Sequence, residues 1–147
     1  MELFWQYILV FLAAATPWLE IMLVIPVAIG LGLSPIPVTL ISFIGNALPV
    51  FGIVALFRQW ERHRGPVRRN WSPRARRIWN RYGLPGIALA GPVITGVHLA
   101  TVMALALEAD RRRTVVWMSL SLFIWSAVTL AVTLAGFEGF RWLFASP

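Results

Sequence analysis

Four polar side chains stand where the sequence is otherwise apolar: Glu20, Asn46, Thr95 and His98. Apart from Glu2, Glu20 is the only charged residue before Arg58, and long apolar stretches flank it. A carboxylate at the centre of a bilayer costs about 2.5–3.5 kcal/mol on insertion scales, so such residues face a cavity or a partner. A carboxyl group in a place of low polarity can take up and release a proton near neutral pH, which makes Glu20 a candidate for substrate binding or proton exchange. Thr16, Pro17 and Glu20 also read as a helix start, with Thr16 as cap and Glu20 in the first turn, where a carboxylate complements the helix dipole. Both roles can hold together. Asn46 falls mid-span beside Gly45, and Thr95 and His98 fall at or just after a second break. His98 can accept a proton from Glu20 or serve as a neutral hydrogen-bonding side chain. His63, in a basic segment, is expected to be solvated.

These residues do not assemble into recognisable catalytic machinery. No phosphate-cradling G-x-x-x-x-G-K-[ST], zinc-binding H-E-x-x-H or nucleophilic G-x-S-x-G is present. Glu20 with His98 is the one acid–base pair on offer, so no enzymatic activity and no metal or cofactor is expected. With no cysteine, disulfides, thiolate zinc sites, iron–sulfur clusters and cysteine nucleophiles are excluded.

The elements that must position the four polar residues belong to a membrane. The 147 residues are 59% hydrophobic and 13% charged, with mean hydropathy +0.74, more apolar surface than a soluble chain of this length can hide. An integral membrane protein with one small helical bundle is expected, and a freely soluble enzyme or DNA-binding domain is excluded. All 13 basic residues are arginine, nine of them in Arg58–Arg81 and three at Arg111–Arg113. Flanking apolar segments, they follow the positive-inside rule and do not point to nucleic acid. The apolar start ending in Ala13, Ala14 and Ala15 lacks a basic leader and is expected to be retained.

Five apolar stretches follow: Leu3 to Ala15, Pro17 to Leu33, Val38 to Phe57, Leu84 to Leu107 and Thr114 to Phe137. The third and fifth suit simple spans of roughly 20 residues. If both arginine clusters are cytoplasmic, the stretch between them must leave and return on one side. Its breakers, Gly86, Gly91 with Pro92, and Thr95 with Gly96, suit a re-entrant hairpin of two half-helices. Leu3 to Leu33, broken at Thr16–Pro17 and again at Pro26, reads as a second hairpin or as one kinked span. The fold expected is therefore all-α: two inverted repeats, each a broken hairpin plus a transmembrane helix, over residues 3–57 and 83–137, joined by a basic segment over 58–82. In that segment Ser72 can cap a helix beginning at Pro73 and ending at Gly83. Ala75, Ile78, Trp79 and Tyr82 would share one face and Arg74, Arg76, Arg77 and Arg81 the others, as in an amphipathic helix lying among lipid headgroups. The breaks at Pro17, Pro26, Gly45, Gly91, Pro92 and Gly96 would leave backbone N–H and C=O groups able to bind a ligand or ion.

The sequence resembles the family of small multidrug export proteins and, more distantly, the DedA-type (VTT) membrane proteins. The resemblance rests on Pro17-x-x-Glu20, Ile25-Pro26, Gly30-Leu31 and Gly45-Asn46 with Pro49 in the first half. In the second half it rests on Arg81-Tyr82-Gly83, Gly91-Pro92 and Thr95-Gly96. Met22 stands where the family tends to have arginine, His98 where it often has tryptophan, and of the family's second tip Thr95-Gly96 and a shifted Pro92 remain. The resemblance implies two facing re-entrant hairpins and export of drug-like solutes, or, through the DedA likeness, translocation of a lipid or lipid phosphate.

The leading expectation is a small transporter of a bacterial inner membrane, multi-pass with its basic loop cytoplasmic. It would move an amphiphilic solute or lipid through a midplane site, with possible coupling to protons. A lone carboxylate among tryptophans favours a lipophilic cation, whereas half-helix N-termini and the arginine rim favour an anionic lipid headgroup. The alternative is a non-transporting membrane subunit or scaffold. Membrane lipids are the expected partners, and a homodimer or a larger membrane complex would help so short a chain to enclose a pathway.

Overall fold

The computed structural model describes residues 2–17, 19–65 and 72–145, and among them the chain forms six helices and no strand. They are α1 (Glu2–Ala15), α2 (Ile21–Gly30), α3 (Pro35–Arg64), α4 (Pro73–Ile94), α5 (Val97–Ala106) and α6 (Arg111–Ala145). Two are long and apolar enough to cross a bilayer, α3 and the Arg111–Gly139 part of α6. Only 28% and 22% of their most apolar stretches is buried, so most of their apolar surface faces outward. That is the arrangement expected where the solvent is itself apolar.

Both long helices outrun the apolar stretches read from sequence. Arg58–Arg64 continues α3, where a loop is expected, because straight-chain Arg, Gln and Glu favour helix. The helix ends at Gly65, whose φ of 80° suits a residue without Cβ. Residues 66–71 of the basic segment lie outside the described residues.

Contacts divide the chain into two compact units. The first contains Met1–Asn46 and Phe123–Pro147, and the second Ala47–Leu122. Each is thus a helical hairpin joined by parts of both long helices.

In the first unit, α1 and α2 pack together as a hairpin, so Leu3 to Leu33 is two helices and not one kinked span. The turn departs from the expected capping pattern. The Thr16 hydroxyl turns back and donates to the Leu12 carbonyl, 2.9 Å away. Helix α2 starts only at Ile21, with Glu20 as its N-cap residue instead of a first-turn residue. Serine and threonine hydroxyls compete in this way with the capping role. Pro26 does not break the chain either and lies inside α2. At Gly45, a Cβ would stand 2.7 Å from the Phe11 carbonyl oxygen and 3.0 Å from Ala14 Cβ, so the backbone of α1 crosses directly over α3. Phe43 and Phe123 meet edge to face, with ring centroids 6.3 Å apart.

In the second unit, α4 is interrupted at Gly83 (φ 56°, ψ −158°). The break separates the arginine-rich part, which begins at Pro73 as the sequence predicts, from an apolar arm. This arm and α5 form the second hairpin, whose turn is Thr95–Gly96, with Gly96 at φ 84°. Gly86, Gly91 and Pro92, expected as breakers, lie within the helical arm. Gly91 is where the arms touch: a Cβ there would lie 2.5 Å from Ala100 Cβ.

The elements recur at a fixed spacing. Helices α2 and α5 are each 10 residues long, and the starts of α2 and α5, and of α3 and α6, are both 76 positions apart. Each short helix ends in the same motif. Leu33 N donates to Ala28 O after Gly32 (φ 91°), and Ala109 N donates to Ala104 O after Glu108 (φ 61°). Burial follows the same spacing: Val38, Ser42, Asn46 and Val50 of α3 correspond to Thr114, Met118, Leu122 and Ser126 of α6, all buried.

Candidate functional site

The buried threonine hydroxyls bond to the carbonyl one turn back along the chain. Thr101 donates to Val97 O at 2.7 Å, Thr114 to Asp110 O at 2.9 Å and Thr133 to Thr129 O at 2.7 Å. Ser121 does something different. Its hydroxyl crosses from α6 to the Ala88 carbonyl of α4, 2.6 Å away and buried. The reason lies in the sequence of α4: Pro92, four residues beyond Ala88, has no N–H, and the Ala88 carbonyl loses its helical donor. Ser121 supplies the missing bond, and the helix passes through Pro92 without breaking.

Against that background a second set of buried polar groups is conspicuous for having no partner within the protein. In the first unit these are Ser42 Oγ, both side-chain polar atoms of Asn46, and Ser126 Oγ; in the second unit they are both ring nitrogens of His98. Ser42 and Asn46 are wholly buried, and Ser126 and His98 retain 3% and 6% exposure. A buried donor or acceptor left unmade costs about 1–3 kcal/mol, so groups of this kind call for a partner. Ser42 and Ser126 were not among the residues singled out from sequence. The signal for Ser42 was its position one helical turn before Asn46.

The four sequence candidates divide between the units, Glu20 and Asn46 in the first and Thr95 and His98 in the second. Glu20 is half-buried at the N-cap of α2, and its side chain makes no capping hydrogen bond. Thr95 is exposed and belongs to the turn: its hydroxyl lies 3.5 Å from Gly91 O and 3.4 Å from Gly96 O. The Gly91 carbonyl also accepts from Thr95 N and Gly96 N. Of the expected helix breaks, Pro17 and Gly96 lie at turns, while Pro26, Gly45, Gly91 and Pro92 are helical. By the 76-residue spacing Glu20 corresponds to Gly96 and Met22 to His98, so the carboxylate and the imidazole are each present once.

The chain also forms apolar clefts suited to a lipid-like body. In the first unit a cleft of 630 Å³ runs between Met22 and Pro26 of α2 and Trp125, Thr129, Thr133 and Phe137 of α6. In the second, one of 410 Å³ is lined by Tyr82, Ile87, Ile94 and Met103. Sites for drug-sized ligands span roughly 300–1,000 Å³ and are largely apolar with a few polar groups. Among the described residues no group of three His, Asp or Glu could hold a metal ion.

On the arginine-rich part of α4, Arg74, Arg77 and Arg81 are exposed and Trp79 is half-buried. The Arg81 guanidinium stands 5.5 Å from the Tyr82 ring centroid. The side chain of Arg76 lies outside the described residues.

Residues 20–128 match the family model described as "Putative small multi-drug export protein". The chain belongs to this family. The match begins at Glu20 and runs to the middle of α6. No curated protein and no solved structure matches the chain. Membership of this export family, together with the two long apolar helices, places the protein in a membrane and gives it a transporter role in broad terms.

Proposed function

We propose that this export-family protein moves an amphiphilic solute across the bacterial inner membrane, using polar groups held near the bilayer midplane. The reading is carried by the buried side chains without a protein partner, Ser42, Asn46, Ser126 and His98, in a bundle that otherwise satisfies its buried hydroxyls. A scaffold that only docks other helices has no use for such groups and loses stability by keeping them. The two helical hairpins are read as re-entrant and inverted with respect to one another, with the arginine-rich segments on the cytoplasmic side. The substrate class the residues favour is a lipophilic cation: Glu20 is the single carboxylate of the apolar segments before Arg58, and Trp125 lines the cleft beside α2. A proton competing for Glu20 would then couple export to the proton gradient. No chemistry is performed on the solute.

The test is transport in proteoliposomes. Glu20→Gln keeps the shape of the side chain and loses its charge. It should elute as a folded, monodisperse species in detergent yet fail to move a fluorescent lipophilic cation that the parent protein moves. Full transport by Glu20→Gln would remove the carboxylate from the mechanism. Loss of the folded species would assign Glu20 to folding.

A further inference from the structure

Pro26 lies inside α2 and has no N–H, so the Met22 carbonyl one turn earlier loses its helical donor. The same deficit arises at Ala88, where Ser121 crosses from α6 and makes it good. Beside α2 there is space instead: Met22 and Pro26 both line the 630 Å³ cleft whose other wall includes Trp125, Gly136 and Phe137 of α6. A helical carbonyl points along the axis at the nitrogen four residues on, so the Met22 oxygen lies between two residues that border the open space. Both residues are partly exposed. Of the hydroxyls in the far wall, that of Thr133 is committed to the Thr129 carbonyl. A largely apolar cleft thus carries a backbone acceptor, and in lipid, where bulk water does not compete, a donor brought to it keeps most of its hydrogen-bond energy.

An acceptor calls for a donor, and the walls call for an apolar body. Lipophilic cations divide sharply on the first count: a protonated amine carries an N–H, and a quaternary ammonium of the same charge carries none. Glu20 is the N-cap residue of the same helix, two positions before Met22. The charge nearest to the carbonyl along the chain is therefore negative, which favours a charged donor over a neutral hydroxyl. We propose that the cleft beside α2 selects protonated amines among amphiphilic cations, the ammonium N–H being donated to the Met22 carbonyl while the hydrocarbon body lies against Trp125 and Phe137. The inference rests on the transporter reading for its class of solute and narrows it. Its readouts are of binding alone, so a protein that binds the amine in this way but moves no cation would remove that reading and leave the inference standing.

Met22–Leu23 is the one methionine–leucine pair in the sequence, so protein carrying 13C in methionine carbonyls and 15N in leucine isolates this carbonyl by solid-state NMR. Dodecyldimethylamine, protonated at neutral pH, and dodecyltrimethylammonium differ by a methyl in place of the N–H. In bilayers the amine should move the Met22 carbonyl signal to higher frequency, and the quaternary ion should leave it in place. Equilibrium dialysis against nanodiscs, with protein-free discs subtracted, should show the amine bound about tenfold more tightly. Gly136→Leu fills the cleft from a position where an added Cβ meets nothing within 4 Å, and should abolish the shift. Pro26→Ala restores an N–H to the carbonyl and should bring the ratio of affinities to about one. An amine that fails to bind, or binds without moving the Met22 signal, would overturn the proposal. Equal affinities in the parent protein, a ratio unchanged in Pro26→Ala, or a shift that survives Gly136→Leu would do the same. A shift of equal size with dodecanol would assign the carbonyl to neutral donors and overturn the choice of an amine. The carbonyl shift is read on the parent protein and depends on neither variant folding.

Discussion

The bond from Ser121 to the Ala88 carbonyl makes a quantitative claim about two residues distant in sequence. Interhelical hydrogen bonds in membrane proteins contribute about 0.6 kcal/mol on average, because a freed group usually finds another partner. Ala88 is different: it is wholly buried and Pro92 withholds the one amide that could replace Ser121. Ser121→Ala should therefore cost about 1–2 kcal/mol, nearer the desolvation cost of an orphaned carbonyl than the membrane average. In the Pro92→Ala background, where an N–H is restored at position 92, the same Ser121→Ala substitution should cost less than about 0.5 kcal/mol. The four proteins of this cycle can be compared by reversible unfolding in mixed micelles, followed by tryptophan fluorescence. Equal costs in the two backgrounds would refute the reasoning, since the serine would then be bonding for some reason unrelated to the proline.

Gly45→Ala should destabilise the protein by about 1–3 kcal/mol in the same unfolding assay, because the new methyl meets backbone and not a yielding side-chain tip. Glu108→Gly should stabilise it by about 1 kcal/mol, since Glu108 is the one described non-glycine residue with positive φ and stands where its counterpart in the first hairpin is Gly32. Glu61→Gln, which removes the ion pair that Arg111 makes between α6 and α3, should cost less than about 1 kcal/mol, both partners being partly exposed. Cysteines introduced singly at Ser72 and Arg112 should react with a membrane-impermeant maleimide from the same side of the membrane; labelling from opposite sides would eliminate the re-entrant second hairpin.

What sequence made legible was whatever depends on a residue's own backbone. Gly96 and Gly83 mark breaks because both adopt positive φ. The arginine-rich helix begins where Pro73 suits a first turn. Prolines misled, because the penalty of a proline depends on what satisfies the carbonyl it strands. Pro92 is helical with the help of Ser121, 33 residues from Ala88, and no local pattern announces that partner. Thr16 misled for the opposite reason, its hydroxyl having two local carbonyl and amide choices and taking the preceding turn. Hydropathy located the apolar part of each long helix but not its ends, which charged and helix-favouring residues extend. Asn46 and His98 stood out as polar residues in apolar surroundings, yet their lack of partners is a property of packing and could not be read from spacing.

The interleaving of the two units carries a consequence for biosynthesis. All of Ala47–Leu122 has been made before Phe123 is added, whereas the other unit combines Met1–Asn46 with residues from Phe123 onward. The hairpin translated first is thus the last to be completed. Until α6 emerges, the cleft wall that Trp125 and Phe137 provide for α2 does not exist, and Phe43 has no Phe123 to meet. The nascent chain must keep its earliest apolar helices in the care of the insertion machinery or of lipid while the later unit matures. Interrupting synthesis anywhere before residue 123 should accordingly leave the first hairpin the preferred target of membrane quality-control proteases.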